Sequence, residues 1–450
     1  MRRVLVLTGF WPPLGGPGTL RTYKTCQELP ALGWAPTVLT PDPRRLRSQS
    51  VLQLPPRPNG VALRYTEFDD RLDRLRRLFS KGTKTDSGQS RHARNADQAF
   101  KPPRYKEWAR AFMAFPDEHA GWIPHAVDGG LHALSEGFDL IWTTSPPESA
   151  HMAGRILKKR SGIPWVAELR DPWADYHHVH RGWLLRFMQR LAESRCLSSA
   201  DILVTLSPTW RQHFARTLRK PVALVRSGFD PSDLPSAAGS VEDREVFRFV
   251  YTGKLHPEQQ DPSDFFVALA QLRSHRIVRQ SRVRVDLYFY GDGLEELRSM
   301  VSRLGLDDLV HFEAPVSYHE SLRRQSEATV LLLFDWEGEG PIERGVIPLK
   351  AYEYMATRRP VLVFLKKEGD LAELARQGPQ FHAVRSVEEA VRQMESWLES
   401  FATAGCLSPS HRAPAESLAF TRRAAAETFA RLFDGLIDDD SAVKGSLQYA

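Results

Sequence analysis

Short apolar runs alternate with helical patterns along nearly the whole of this 450-residue chain, and that alternation limits its possible folds more than any other feature. In the first half the runs lie at 3–7, 36–40, 61–65, 139–143, 164–168, 201–205 and 222–225, with helical segments near 19–32, 148–160, 182–199 and 207–218. In the second half "FRFVY" (247–251), "VRVDLYFY" (283–290), "LVHF" (309–312), "TVLLLF" (329–334) and "VLVF" (361–364) alternate with helices in the same way. Strands separated by helices require right-handed crossovers and parallel sheets covered on both faces. In such sheets ligands bind at the carboxyl ends of the strands, where loops lead into helix N-termini.

The length calls for two or three domains, and 42% apolar residues suffice to fill their cores. The stretch "SGFDPSDLPSAAGSVEDRE" (227–245) has no period and reads as the break between halves. We therefore expect an N-terminal domain at 1–225, a C-terminal domain at 226–410, and a helix and tail at 411–450 packing back on the first domain. Net charge is +6, but residues 71–110 hold 12 Lys or Arg against 4 Asp or Glu, which marks a basic insertion. Within it "RLDRLRRLFSKGTK" (71–84) sets Leu72, Leu75, Leu78 and Phe79 on one helical face among cations. That pattern suits either an ordinary packed surface helix or an anionic membrane surface. Interleaved Phe79, Phe100, Tyr105 and Trp108 also leave open single-stranded nucleic acid, though no nucleic-acid-binding fold accompanies them. Three scattered cysteines form neither a disulfide framework nor a zinc spacing, so a reducing cytoplasm is expected. No apolar run reaches the length of a transmembrane helix.

Five strand-to-helix turns carry candidate chemistry. "TGFWPPLGGPGTLR" (8–21) offers Gly15 and Gly16 for close backbone approach, with Arg21 on the helix that follows. A flexible turn is the alternative, and the spacing is not that of a dinucleotide fingerprint. In "SPPESAH" (145–151) Ser145 or Glu148 suits a helix cap, and His151 is either a packed or a site histidine. In "AELRDPWADYHH" (167–178) Arg170, Asp171 and Trp173 stand at a strand end, fit either for a sugar or phosphate cleft or for a structural pair beside a core tryptophan. "VYTGKLHPE" (250–258) places Gly253 and Lys254 just past a strand, where a cation can meet a diphosphate or stay solvated. "YGDGLEEL" (290–297) offers Gly291. Beyond these, "IPLKAYEYMATRRPVLVF" (347–364) sets Lys350 and Glu353 one turn apart on a helix between two buried strands.

Taken together, these segments resemble the retaining glycosyltransferases of family 4, with the GT-B fold. "WPPLGGPGTLRTYKTCQELPALGWAPTVLT", "FPDEHAGWIPHA" and "DLIWTTSPPESAHMAGRILKKRSGIPWVAELRDPW" resemble the first domain of a bacterial subgroup, and "YTGKL", "YGDGLEEL" and "LKAYEYMATRRPVL" the second. The resemblance implies an α/β fold of two Rossmann-like domains facing across a cleft, the second holding a nucleotide-sugar and the first an acceptor. It implies that Glu353 takes the ribose hydroxyls, that Lys254 and Lys350 meet the diphosphate as the catalytic cations, and that neither cofactor nor metal takes part. Gly15, Gly16, Arg21, His151, Arg170, Asp171 and Trp173 would line the acceptor side, and Gly253, Gly291 and Gly345 the donor side.

Three departures stand out. Lys254 replaces the usual arginine, and Gln259 and Gln260 lie where a second lysine is expected. The first of two glutamates seven residues apart is replaced by Gly345, with Glu343 out of register. Ser227-Gly228 replaces an Asn-Gly pair. The expected activity is transfer of a sugar, with retention, from a nucleotide-sugar to a lipid-linked or cell-surface polysaccharide precursor. A nucleotide-sugar-binding protein that has lost turnover is the alternative that Gly345 keeps open.

Overall fold

The computed structural model describes residues 1–46, 54, 57–71, 114–175, 182–235, 245–256, 259–289, 293–407 and 419–438. The basic segment at 71–84, expected as an amphipathic helix, lies outside these residues apart from Arg71, as does nearly all of the insertion around it.

Two parallel sheets organise the chain. The first holds seven strands in the order β3-β2-β1-β4-β5-β6-β7: β1 (Arg2–Leu7), β2 (Trp34–Pro41), β3 (Ala62–Thr66), β4 (Leu140–Ser145), β5 (Trp165–Leu169), β6 (Ile202–Thr205) and β7 (Val222–Leu224). The second holds six in the order β10-β9-β8-β11-β12-β13: β8 (Arg248–Thr252), β9 (Arg284–Tyr288), β10 (Val310–Glu313), β11 (Val330–Phe334), β12 (Val361–Phe364) and β13 (Phe381–Val384). Both orders reverse direction at one point, between β1 and β4 and between β8 and β11, as in Rossmann-like domains. The crevices at these two points are the positions where such sheets take ligands.

The helices between the strands that matter below are α1 (Pro17–Glu28), α2 (Ile123–Leu134), α3 (Ser149–Ser161), α4 (Trp183–Leu197) and α5 (Pro208–Leu218). In the second half they are α6 (Ser263–Leu272), α7 (Arg276–Gln280), α8 (Leu294–Arg303), α9 (Tyr318–Glu327), α10 (Pro341–Arg344), α11 (Leu349–Thr357), α12 (Asp370–Gln377), α13 (Val387–Ala404) and α14 (Arg422–Ile437).

Burial on both faces explains why the central strands read as unbroken apolar runs. Along β11, Leu332 and Phe334 join one core cluster while Leu331 and Leu333 join the other. Along β12, Leu362 and Phe364 divide from Val361 and Val363 in the same way. The sequence reading missed β13, a four-residue edge strand with only Phe381 and Val384 buried.

By compactness the chain forms two units, Met1–Val204 with Leu432–Ala450, and Thr205–Arg431. The start of α14 is fixed in the second unit by Phe229, whose N–H donates to the Phe420 carbonyl at 3.0 Å and whose carbonyl accepts from Arg422 N at 2.8 Å. Its end lies in the first unit, where Phe433 packs on Trp34 and Trp142 at centroid distances of 5.2 and 5.9 Å. Arg2 there donates to Asp434 at 2.7 Å and to Asp438 at 2.6 Å.

Candidate functional site

In the second unit, the candidate residues gather at the carboxyl ends of β8 and β11. Directly after β8, Gly253 has φ +96°, a conformation that side chains rarely adopt, and this turns the chain so that Lys254 is exposed. Tyr251 donates its hydroxyl proton to the Lys254 carbonyl at 2.9 Å. On the first turn of α11, the Lys350 ammonium donates to the Tyr251 hydroxyl at 2.5 Å and lies 3.8 Å from the centre of its ring. The same ammonium is 3.3 Å from the Lys254 carbonyl oxygen. Lys350 retains some solvent access, but the protein around its ammonium removes enough water to push its pKa down to about 7. Glu353 works against that shift by favouring the charged form.

One turn on, the Glu353 carboxylate accepts from Gln325 Nε2 at 3.3 Å; that amide also donates to Thr252 Oγ1 at 3.0 Å. Burial raises the Glu353 pKa, against opposing effects from Arg422, Gln325 and Lys350, while Asp233 reinforces the rise. Arg422, Tyr318 and Asp233 were not singled out from the sequence. Tyr318 donates to Asp233 at 3.1 Å, and burial pushes its hydroxyl pKa up, so it stays a neutral donor. Arg422 is buried at 5% exposure, with Nε and Nη2 lacking a hydrogen-bond partner. No local signal marks it, since the Phe229–Phe420 pairing is what brings this distant part of the chain in.

Gly345 lies in the turn after α10, and its surroundings account for the missing glutamate. A Cβ there would lie 2.3 Å from the Trp210 indole and 2.8 Å from Ser207 Oγ. Trp210 is held in place, since its Nε1 donates to the Ile342 carbonyl at 2.9 Å. Any side chain at 345 therefore requires Trp210 to move. Glu343 folds back over its own loop, close to Gly338 and Gly340. Gln260 is buried and bridges His256 to the Phe334 carbonyl, which is a structural task. Gly291 lies outside the described residues.

In the first unit, the candidates surround the ends of β1, β4 and β5. Gly15 has φ +132°, and a Cβ there would strike Thr19. Gly16 is extended and has no heavy atom within 4 Å of a Cβ position, so it faces open space at the start of α1. Arg21 on α1 donates to Glu168 at 2.7 Å, a pair with side-chain exposures of 6% and 0%. Arg170 donates from Nε to the Ser145 carbonyl at 2.8 Å and from Nη2 to the Pro146 carbonyl at 2.5 Å. A Cβ on Gly18 would lie 2.5 Å from its Nη1, so Gly18 admits the guanidinium against α1. Asp171 has its pKa pushed up to about 6 by burial, with Arg170 opposing the shift.

His151 and Trp173 are packed into the interior. His151 Nδ1 shares a 2.6 Å hydrogen bond with the Thr143 hydroxyl, to which Trp165 donates at 2.9 Å. Burial first, then Arg170, lowers the His151 pKa to about 3, so the ring is neutral. Trp173 donates to Gln189 at 2.6 Å, and Gln189 donates to the Pro116 carbonyl at 2.8 Å. Neither Ser145 nor Glu148 caps α3 with its side chain. Asp117 does so from outside, accepting from Ser149 N at 2.6 Å and from Ser149 Oγ at 2.7 Å.

The second-unit cluster combines two cations with a carboxylate at a Rossmann-type switch point. That set can meet an anionic group and accept hydroxyl hydrogen bonds side by side. Among the described residues no group of three or more His, Cys, Asp or Glu is arranged to hold a metal ion.

Two family models match the chain: "Glycosyl transferase 4-like domain" over residues 15–228 and "Glycosyl transferases group 1" over residues 246–400. No curated protein sequence matches significantly. Among solved structures, the chain is similar to sucrose-phosphate synthase from Thermosynechococcus elongatus, with a TM-score of 0.64 at 15% identity, over 98% of this chain and 100% of that one. It is similar to α,α-trehalose 6-phosphate synthase from Burkholderia multivorans (0.59, 12%, 100% and 98%). It is also similar to Anabaena HepE in complex with UDP (0.57, 13%, 100% of both chains).

Proposed function

Because the two matching models together span most of the chain, it belongs to the glycosyltransferases of GT-B type, and we propose that it transfers a sugar, with retention, from a nucleotide-sugar to a lipid-linked or cell-surface polysaccharide precursor. The observation that carries this reading is that Lys254 follows β8 and Lys350 and Glu353 share a face of α11, between β11 and β12, at the switch point of the second sheet, with the Lys350 ammonium 3.3 Å from the Lys254 carbonyl oxygen. In this reading Glu353 accepts the ribose hydroxyls, while Lys254 and Lys350 face the diphosphate. As the sugar–phosphate bond breaks, positive charge grows at the anomeric carbon and negative charge on the departing diphosphate. Lys254 and the protonated form of Lys350 stabilise that negative charge. The acceptor oxygen attacks from the side the diphosphate leaves, and a leaving phosphate oxygen takes its proton. No covalent carboxylate nucleophile and no metal enters the reaction so described. The acceptor meets the first unit near Gly16, which has open space above it. The protein works in the cytoplasm, at the membrane surface.

The Trp210–Gly345 contact favours full activity over the impaired-binder alternative, because the glycine is explained by packing and need not mark decay. The donor sugar is then recognised without a carboxylate at position 345. The test is a panel of nucleotide-sugars with turnover as readout, followed by calorimetry with the donor it identifies. Glu353→Ala should weaken binding of that donor by about 1.5–3 kcal/mol, the range for a hydrogen bond to a charged group. Unchanged affinity in a folded variant removes Glu353 from the site. Binding without transfer to any acceptor returns the impaired-binder reading.

A further inference from the structure

Large apolar side chains at the described surface are concentrated on a single helix. Trp183 is 81% exposed, Phe187 60%, Leu191 40% and Leu184 39%, all on α4. At helical spacing these four fall within an arc of about 100°. The opposite side of the helix holds the buried residues Gln189, Glu193, Cys196 and Leu197. Exposed arginines flank the apolar arc, Arg186 and Arg190 along one edge and Arg195 along the other. Asp175 lies 3.0 Å from Arg190 and 3.9 Å from Arg186 and offsets part of that charge. The helix has one acidic side chain, Glu193, which is buried and whose pKa burial raises to about 8, so it adds no negative charge at neutral pH.

We propose that this face of α4 docks on an anionic phospholipid surface, with Trp183 and Phe187 entering the interface and Arg186, Arg190 and Arg195 meeting the headgroups. Apolar and aromatic residues on one face with cations along its edges suit a helix lying in the plane of a membrane interface. A second copy of the chain fits worse. Two-fold pairing through this face would set the arginines of one helix against those of its mate, and a stripe of four side chains falls short of the roughly 800 Å² per partner that stable interfaces bury. The surface goes beyond the transfer reaction, so its failure would leave the donor site untouched.

The experiment is flotation of the full-length protein with vesicles of phosphatidylcholine alone or mixed with phosphatidylglycerol, at low and high salt. The wild type should float with the anionic vesicles at low salt and less so at high salt. Trp183→Ser combined with Phe187→Ser replaces exposed side chains, so circular dichroism should be unchanged while the bound-to-free ratio falls about tenfold or more. Arg186→Gln with Arg190→Gln and Arg195→Gln should remove the preference for anionic over neutral vesicles. No flotation of the wild type, equal flotation with neutral vesicles, or wild-type flotation by the serine variant overturns the proposal. A wild-type dimer in sedimentation that the serine variant dissociates also overturns it, by assigning the face to a second copy.

Discussion

Lys350 holds its proton weakly, and that has a consequence for ligand binding. With its pKa pushed down to about 7, much of the free protein carries a neutral amine there at slightly alkaline pH. A diphosphate favours the ammonium, so binding above neutrality must take up a proton, and apparent affinity falls as pH rises through the free-state pKa. Between pH 7 and pH 8.5 we expect a roughly tenfold loss of nucleotide-sugar affinity, measured by calorimetry in buffers of different ionisation enthalpy. Lys350→Arg keeps its charge throughout this range and should flatten the profile even if its affinity is lower. A flat wild-type profile places the diphosphate away from Lys350. The spacing of Lys350 and Glu353 on one helical face was legible in the sequence. Arg422, whose charge works against the burial of Glu353, was not, because only the chain's return past Phe229 brings it near.

Helix α3 places a neutral histidine in the core, where local pattern gives no cue. Pattern reading finds β11 and β12, whose burial is continuous, and also the more open β3 and β10, but misses the four-residue β13. It equally left open whether His151 was packed or at the site; the Thr143 hydrogen bond and full burial make it part of the packing of α3 on β4. In the unfolded chain this histidine binds its proton near pH 6.5, whereas in the fold it does so only near pH 3. Between these values the unfolded state holds the extra proton, so stability is complete above about pH 6.5 and is lost as the pH falls. Acidifying from pH 7.5 to 5.5 should cost about 1.4 kcal/mol through this group, the equivalent of one pKa unit. His151→Gln keeps an acceptor for Thr143 and should show that much less acid sensitivity in urea titrations, whatever its constant cost. Equal sensitivity in both proteins means that the histidine is already hydrated and able to protonate in the fold.

At the scale of the molecule, alternation pointed to parallel sheets and the aperiodic stretch 227–245 to two halves, while the return of the chain was harder to read. The tail was expected to pack back on the first domain, but Phe433, fully buried against Trp34 and Trp142, carries no local signal because its partners lie near the other end of the chain and in β4. The compact units also divide between Val204 and Thr205, inside β6, where no composition change occurs. Helix α14 starts in one unit and ends in the other, so its last turns can be weakened without touching the donor-side cluster. Phe433→Ala removes a ring at 0% exposure, and such losses typically cost about 3–5 kcal/mol. The penalty should fall on the unit holding β1, β2 and β4, which also loses part of the support that positions Asp434 for Arg2 and Trp34. In calorimetry the first unit's transition should move down by several degrees. The transition that a nucleotide-sugar raises should keep its ligand-induced shift, because Lys254, Lys350 and Glu353 all belong to the other unit. If instead both transitions fall together and the ligand shift disappears, the two units unfold as one, and the helix is part of the donor site's support.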